Sequence, residues 1–304
     1  MSVAVRPFER SDRDQLAALV NLHIAAVIPG VMLSVNAVLS QLEHEPYENV
    51  VDPWVAERRC LVATRDEDIV AAALLHRFRA DDDVGPHYRG SGEIRWLVCK
   101  IDALDAGARL LEAVLAQMES WRVAVIGAEC SFPALGCYGV PDTAPHIRRL
   151  LTDAGFGEPT RSEQVLAAEC SALVGRHQPE LAATRTLGEL GPRFTLRRGA
   201  EEVGFIEVCD HSAQMARSSV AARWADVGNL IVPDERRLSS AMPQLLSVAA
   251  EWLLLGGVTR LVDYWAEDVD PRGYLDQLEQ LGFRRLVTNE RGLRRSADPT
   301  NAGR

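Results

Sequence analysis

The chain has 304 residues, long enough for two domains with separate cores, and its 47% apolar and 25% charged content is that of a globular protein. A formal net charge of -10 excludes a nucleic-acid backbone as the main partner, because counterion-release binding needs a basic face. No window approaches the ~18 uninterrupted apolar residues of a membrane span. The opening stretch MSVAVRPFERSDRDQ is charged from Arg6 onward and carries no apolar core of signal-peptide length, so a cytoplasmic setting is expected.

In chain order, a strand is expected over Val3 to Pro7, then helices over Arg13 to Val27 and Val35 to Glu45, joined by IPGVML. CLVATRDEDIVAAALLHRF reads as a hairpin whose polar RDED turns the chain between two apolar runs. Asp81-Asp82-Asp83 opens a solvated loop. A strand over Ile94 to Cys99 leads through a polar turn into a helix with Leu110, Leu111, Val114, Leu115 and Met118 on one face. Val123 to Ala128 is the next strand, and a further helix ends at LTDAGF (151–156). Residues 169–190 have the least periodic pattern and read as a linker. FTLRRGAEEVGFIEV is a second hairpin, turning near Arg198 to Glu202. It is followed by a strand over Val227 to Val232, a helix carrying Leu245-Leu246, a strand over Arg260 to Tyr264, and a helix ending at LEQLGF (278–283).

The two halves repeat one plan. Gly92 to Cys130 and Ala225 to Trp265 each run strand, polar turn, helix with a Leu-Leu pair, strand. Each then adds a helix closed by a Gly-Phe turn, where the glycine suits a left-handed helix terminus and the phenylalanine begins the next strand. This order predicts an α/β (α+β) layered protein with helices covering mixed sheets. The second half has no room for the two early helices. The expected boundaries are 1–168, a linker at 169–190, and 191–304.

Six cysteines (60, 99, 130, 137, 170, 209) are spread through the chain. Cys60, Cys99 and Cys209 sit in strand-like apolar runs and read as reduced, buried thiols. Cys130 and Cys137 are seven apart with no histidine pair nearby, and read as structural thiols rather than metal ligands.

Strand, two helices, hairpin, then strand–helix–strand–helix–strand resembles the acyl-CoA N-acyltransferase fold of the Gcn5-related (GNAT) superfamily, with the second half a shortened copy. The resemblance implies two GNAT-like domains in tandem and acetyl-CoA as acyl donor, with a small amine as acceptor, direct transfer and no metal. It also implies a turn of the form Gln/Arg-x-x-Gly-x-Gly/Ala whose amides grip a pyrophosphate at a helix N-terminus. Aligned on the Leu-Leu pairs, the first half offers Asp102, Asp105 and Gly107 there. Two carboxylates oppose an anion and instead suit a helix start. The second half offers Arg237, Ser240 and Met242, in VPDERRLSSAMPQLL, with Arg236 adjacent and Pro243 in the first turn of the helix.

The implied cofactor-binding set is therefore Leu230, Ile231, Val232, Arg237, Leu238, Ser239, Ser240, Ala241 and Met242. The implied bases are Asp226 and Glu207, with Glu93 as counterpart in the first half. Asp226 equally suits a strand end bonded to backbone. The family's tyrosine positions hold Leu151 and Leu278, leaving Tyr274, or Tyr264, as acid. Substrate contacts fall near VIPGVMLSV, flanked by Asn21, His23 and Asn36, where a lone His23 reads as a surface or capping residue. The alternative is a GNAT-like chain that has lost CoA binding and serves as a binding or regulatory module, or runs different chemistry.

Overall fold

The computed structural model describes residues 2–43, 51–211, 223–233, 238–269 and 272–296. They form an α/β protein with two mixed sheets, falling into two compact units, 1–162 with 289–304 and 163–288. Among the described residues no helix is long and apolar enough to cross a membrane.

The first unit contains β1 (Val3–Pro7), α1 (Arg13–Val27), α2 (Val35–Glu43), β2 (Val55–Arg65), β3 (Asp68–Phe78), β4 (Gly92–Cys99), α3 (Leu104–Ser120), β5 (Val125–Ala128), β6 (Val140–Pro141) and α4 (Pro145–Asp153). The last two residues expected in α2 lie outside the described residues. The RDED turn forms as read: Asp66 and Glu67 both have positive φ, 50° and 73°, the pair of angles a tight hairpin needs. On α3, Leu110, Leu111, Val114 and Met118 bury one stripe against Ala71 and Ala73 of β3 and Leu97 of β4. Small alanines on the strand let the helix come close, and each buried leucine stabilises by about 1.5–3 kcal/mol.

The second unit contains β7 (Arg161–Glu169), α5 (Cys170–Leu173), β8 (Ala182–Leu187), β9 (Pro192–Arg198), β10 (Glu201–Asp210), β11 (Trp224–Ile231), α6 (Leu238–Leu255), β12 (Arg260–Trp265), α7 (Arg272–Gln280) and β13 (Arg284–Arg291). The expected linker thus carries a short helix and a strand, and β8 pairs with β9 along its length. Among the described residues no pair of long early helices precedes the second sheet, in keeping with a shorter second copy. Pro243 sits inside α6 rather than in its first turn. The core under α6 is built from Ala241, Met242, Leu245, Leu246, Ala249 and Leu253 against Leu196, Ile206, Ala225 and Val227.

Pairing, not chain order, sets the unit boundaries. β7 follows α4 in sequence yet pairs antiparallel with β12, from Arg260↔Glu169 to Trp265↔Gln164. The last strand, β14 (Leu293–Ser296), pairs antiparallel with β5, from Leu293↔Ala128 to Ser296↔Val125. The two sheets therefore run β1-β2-β3-β4-β5-β14 and β13-β7-β12-β11-β10-β9-β8, with β6 against the end of β13 at Asn289 and Glu290. Each half's final strand completes the sheet built by the other half. Boundaries at 168 and 191 follow the sequence repeat, and the exchange of β7 and β14 moves the compact units away from them.

The two Gly-Phe turns close identically. Gly155 (φ 85°) and Gly282 (φ 101°) take the left-handed conformation, and the Phe156 and Phe283 amides donate to the Leu151 and Leu278 carbonyls at 3.0 Å. Phe283 leads directly into β13, whereas β7 starts only at Arg161, five residues beyond Phe156. Leu151 and Leu278 are themselves fully buried, so these two positions serve the core.

Candidate functional site

Each unit holds a pair of adjacent parallel strands whose ladder stops partway along. β4 and β5 pair at Gly92↔Ile126, Glu93↔Gly127 and Ile94↔Ala128. β11 and β12 pair at Trp224↔Arg260, Ala225↔Leu261 and Asp226↔Val262. Beyond Ile94 and Asp226 the ladder stops, although β4 continues to Cys99 and β11 to Ile231. A β-bulge lies just past each stop. Arg95 is the extra residue between Ile94↔Leu75 and Trp96↔Leu74, and Gly228 the extra residue between Val227↔Val208 and Asn229↔Glu207. An extra residue bends and twists its strand, which turns the far end of β4 or β11 away from its parallel neighbour. A Cβ on Gly228 would stand 2.8 Å from the Leu190 side chain, so a glycine is needed there.

The split in the first unit is filled by its own chain. Ser131 N–H donates to the Arg95 carbonyl at 2.5 Å, and His146 Nε2 donates to the Cys99 carbonyl at 3.0 Å. The Leu97 amide bonds to the Cys130 thiol. Phe132, Leu135 and Cys137 of the same loop are buried, and Phe132 stacks on Trp96 and on His23. His23 is thus a stacked, partly exposed ring, its imidazole held down to about 4 by burial and by the nearby His146. Asn21 bonds both the N–H and the C=O of Leu33, tying down the loop between α1 and α2. Asp105 pairs with Arg65 in the first turn of α3, and Gly107 packs against Leu150 and Cys99, where a Cβ would meet atoms at 2.7 and 2.9 Å. Glu93 is buried beside Arg95.

In the second unit, among the described residues, the backbone of β11 beyond the split bonds to β10 alone. Among the described residues no further backbone bond engages Asn229 to Ile231. Leu230 and Val232 lean on the core, while Ile231 is 46% exposed. Arg237 lies outside the described residues, and Leu238 and Ser239 are placed only as the first residues of α6. Ser240 is exposed and its carbonyl accepts from Gln178 Nε2, whereas the side chains of Ala241 and Met242 face the core.

Asp226 is the last residue of β11 to pair with β12, so it stands at the apex of this split. Ala225 and Val227 point into the core under α6, so Asp226 between them projects from the opposite face. Tyr264 Oη donates to Asp226 Oδ2 at 3.1 Å, and His211 Nε2 donates to Oδ1 at 2.9 Å. Cys209 lies directly across the ladder from Asp226. Burial pulls the His211 imidazole down, but hydrogen bonds and charge from Asp226 and Cys209 outweigh it and push it up to about 10. The imidazole therefore stays protonated in the fold at pH values where it would be neutral in the unfolded chain, near 6.5. This linkage is fully present below about pH 6.5 and is lost as pH rises through about 10. Urea midpoints of the wild-type chain are expected to fall across that window, and His211→Gln should flatten the fall. Equal slopes would remove the ion pair from the account.

The other expected acid–base residues lie elsewhere. Glu207 is 1% exposed; it accepts from Asn229 Nδ2 at 2.9 Å and from the Leu190 amide at 3.4 Å, with Arg193 at 3.7 Å. Gly188 covers it so closely that a Cβ would come within 2.3 Å of Oε1. That carboxylate anchors the 188–193 turn. Tyr274 donates to Asp263 Oδ2 at 2.6 Å, and Asp263 alternates with Val262 and Tyr264, so this pair lies on the helix-covered face, away from Asp226. Cys209 and His211 were not among the residues expected at the site. The signal for them was the alternation Cys-Asp-His at the end of a strand, which puts both on one face.

No known family model and no curated protein sequence matches the chain. Among solved structures, it is similar over 98% of its length to 99% of a tandem GNAT protein from the clavulanic acid biosynthesis pathway, at TM-score 0.65 and 14% identity. The chain has the tandem GNAT fold. It is also similar, at TM-score 0.60 and 11% identity over 98% of this chain and 96% of that one, to a GCN5-related N-acetyltransferase from Sphaerobacter thermophilus. A GCN5-related glucosamine N-acetyltransferase region of a fungal multi-domain GH3 β-N-acetylglucosaminidase matches 96% of this chain at TM-score 0.60 and 12% identity, and there the match spans 38% of the larger protein.

Proposed function

We propose that this tandem GNAT protein is an acyl-CoA-dependent N-acyltransferase, most simply an N-acetyltransferase, that acylates a small amine by direct transfer in its second unit. The observation that carries the reading is the separation of β11 from β12 after Asp226, with a bulge at Gly228 and the start of α6 following. A split of this kind leaves Leu230, Ile231 and Val232 to bond the amide arm of the acyl donor. Arg237 would supply positive charge, and Leu238, Ser239, Ser240, Ala241 and Met242 at the start of α6 would hold its pyrophosphate through backbone amides. Glycine is not required for the donors themselves, only for closer approach.

Acetyl-CoA would supply a thioester carbonyl open to attack by the amine. Asp226, at the apex, would take the proton the attacking nitrogen gives up, and Tyr264 would protonate the departing thiolate. Tyr264 serves better than Tyr274 because its hydroxyl reaches Asp226 on the same face. The first unit favours a second reading for that half alone: its split is filled by residues 130–137, so it acts as scaffold rather than as a second donor site.

Thermal unfolding with acetyl-CoA tests this. A ligand that binds only the native state stabilises by about 2.7 kcal/mol at a hundred times its Kd. Arg237→Glu is expected to shrink the rise in Tm, and Asp102→Ala to leave it unchanged. No rise at millimolar acetyl-CoA would overturn the proposal, and the opposite ranking of the two variants would move the donor to the first unit.

A further inference from the structure

Cys209, His211 and Asp226 bring a thiol, an imidazole and a carboxylate together, with one ligand atom from each all within 4.8 Å of one another. From this cluster we propose that the second unit binds one thiophilic divalent cation of the zinc type. The chemistry fits that class: sulfur, nitrogen and oxygen donors in a set of three are what a tetrahedral zinc site with one open position uses. The geometry is largely preformed. Cys209 and Asp226 are a directly opposed pair on β10 and β11, and His211 follows two residues later on the face of Cys209. His211 Nε2 and Asp226 Oδ1 are 2.9 Å apart, close to the roughly 3 Å that separates neighbouring ligand atoms around a cation with bonds of about 2.0–2.1 Å.

The surroundings support the same assignment. Tyr264 Oη donates to Asp226 Oδ2, the oxygen turned away from His211, which orients the carboxylate as outer-shell donors do at metal centres. The other five cysteines are buried, whereas Cys209 is partly exposed, so a cation from solvent reaches this thiol first. Loading displaces the Cys209 thiol proton and the proton shared by His211 and Asp226. It also occupies the carboxylate proposed as the general base, so metal binding and proton transfer by Asp226 exclude one another in the same molecule.

The test uses the whole chain, reduced and stripped with chelator, titrated with Co²⁺ as a spectroscopic substitute. One equivalent is expected to give a thiolate-to-cobalt charge-transfer band together with visible ligand-field absorption, bleached by Zn²⁺. Cys209→Ser should abolish the charge-transfer band. Tyr264→Phe, which keeps all three ligands, should weaken affinity by about 10–100-fold. Circular dichroism of each variant checks the fold, and Asp226→Asn provides a second ligand change should Cys209→Ser not fold. The proposal is overturned if the wild-type chain shows no such band at stoichiometric Co²⁺, or if the band survives in Cys209→Ser. The spectrum needs no acyl donor, so its outcome is independent of whether the chain acylates amines.

Discussion

Asp226→Asn is expected to lower kcat/KM for acyl transfer by about two to four orders of magnitude, the usual contribution of a positioned general base. The substitution keeps shape and leaves an acceptor for the Tyr264 hydroxyl, so the split between β11 and β12 should survive. The prediction therefore has two parts. Release of free CoA thiol, with any amine the wild-type chain acylates and with chelator present, should nearly vanish. The rise in Tm with acetyl-CoA should persist, because donor contacts come from β11 and α6 rather than from this carboxylate. A variant that keeps activity within about tenfold of wild type would remove Asp226 from the chemistry. Loss of both activity and donor binding would point to a structural role at the apex.

Trp96→Ala should cost about 3–5 kcal/mol, the range for removing a fully buried tryptophan. Trp96 is 0% exposed, stacks on Phe132 with 5.9 Å between ring centroids, and donates from Nε1 to Gln41 Oε1 at 3.0 Å. Truncation opens a void between β4 and the loop that fills the first split, and it leaves the buried Gln41 oxygen without its donor. Against a typical total of 5–15 kcal/mol, that is enough to unfold much of the population at mild denaturant. Trp96→Phe separates the causes, keeping most of the volume while losing the donor. Denaturant midpoints should order wild type, Trp96→Phe, Trp96→Ala. A cost below about 1 kcal/mol for the alanine variant would mean that this stack does not hold the loop in place.

The local plan was legible in the chain because its causes are local. The stripe Leu110, Leu111, Val114, Met118 follows helical spacing, the RDED turn needed two left-handed residues, and both Gly-Phe turns needed a glycine that tolerates positive φ. The internal repeat was equally visible, and it correctly implied two mixed sheets of the tandem GNAT kind. Asp226 was reachable by the same route, as a carboxylate near the start of a repeated central strand.

What the chain alone could not show depends on pairing across long separations. β7 joins β12 and β14 joins β5 because each exposed strand edge takes whichever strand completes its ladder, and strand patterns look alike whatever their partner. The bulges at Arg95 and Gly228, which open the splits, are register shifts between strands and leave no mark within either strand alone. Glu207 and Asp226 looked equivalent as sequence positions, yet burial under Gly188 turned one into an anchor, while alternation left the other at the apex beside His211 and Cys209. Composition and periodicity determined the elements and the layered class. Register and cross-strand proximity, set only when distant segments hydrogen-bond side by side, decided which carboxylate meets an imidazole, a thiol and a phenol.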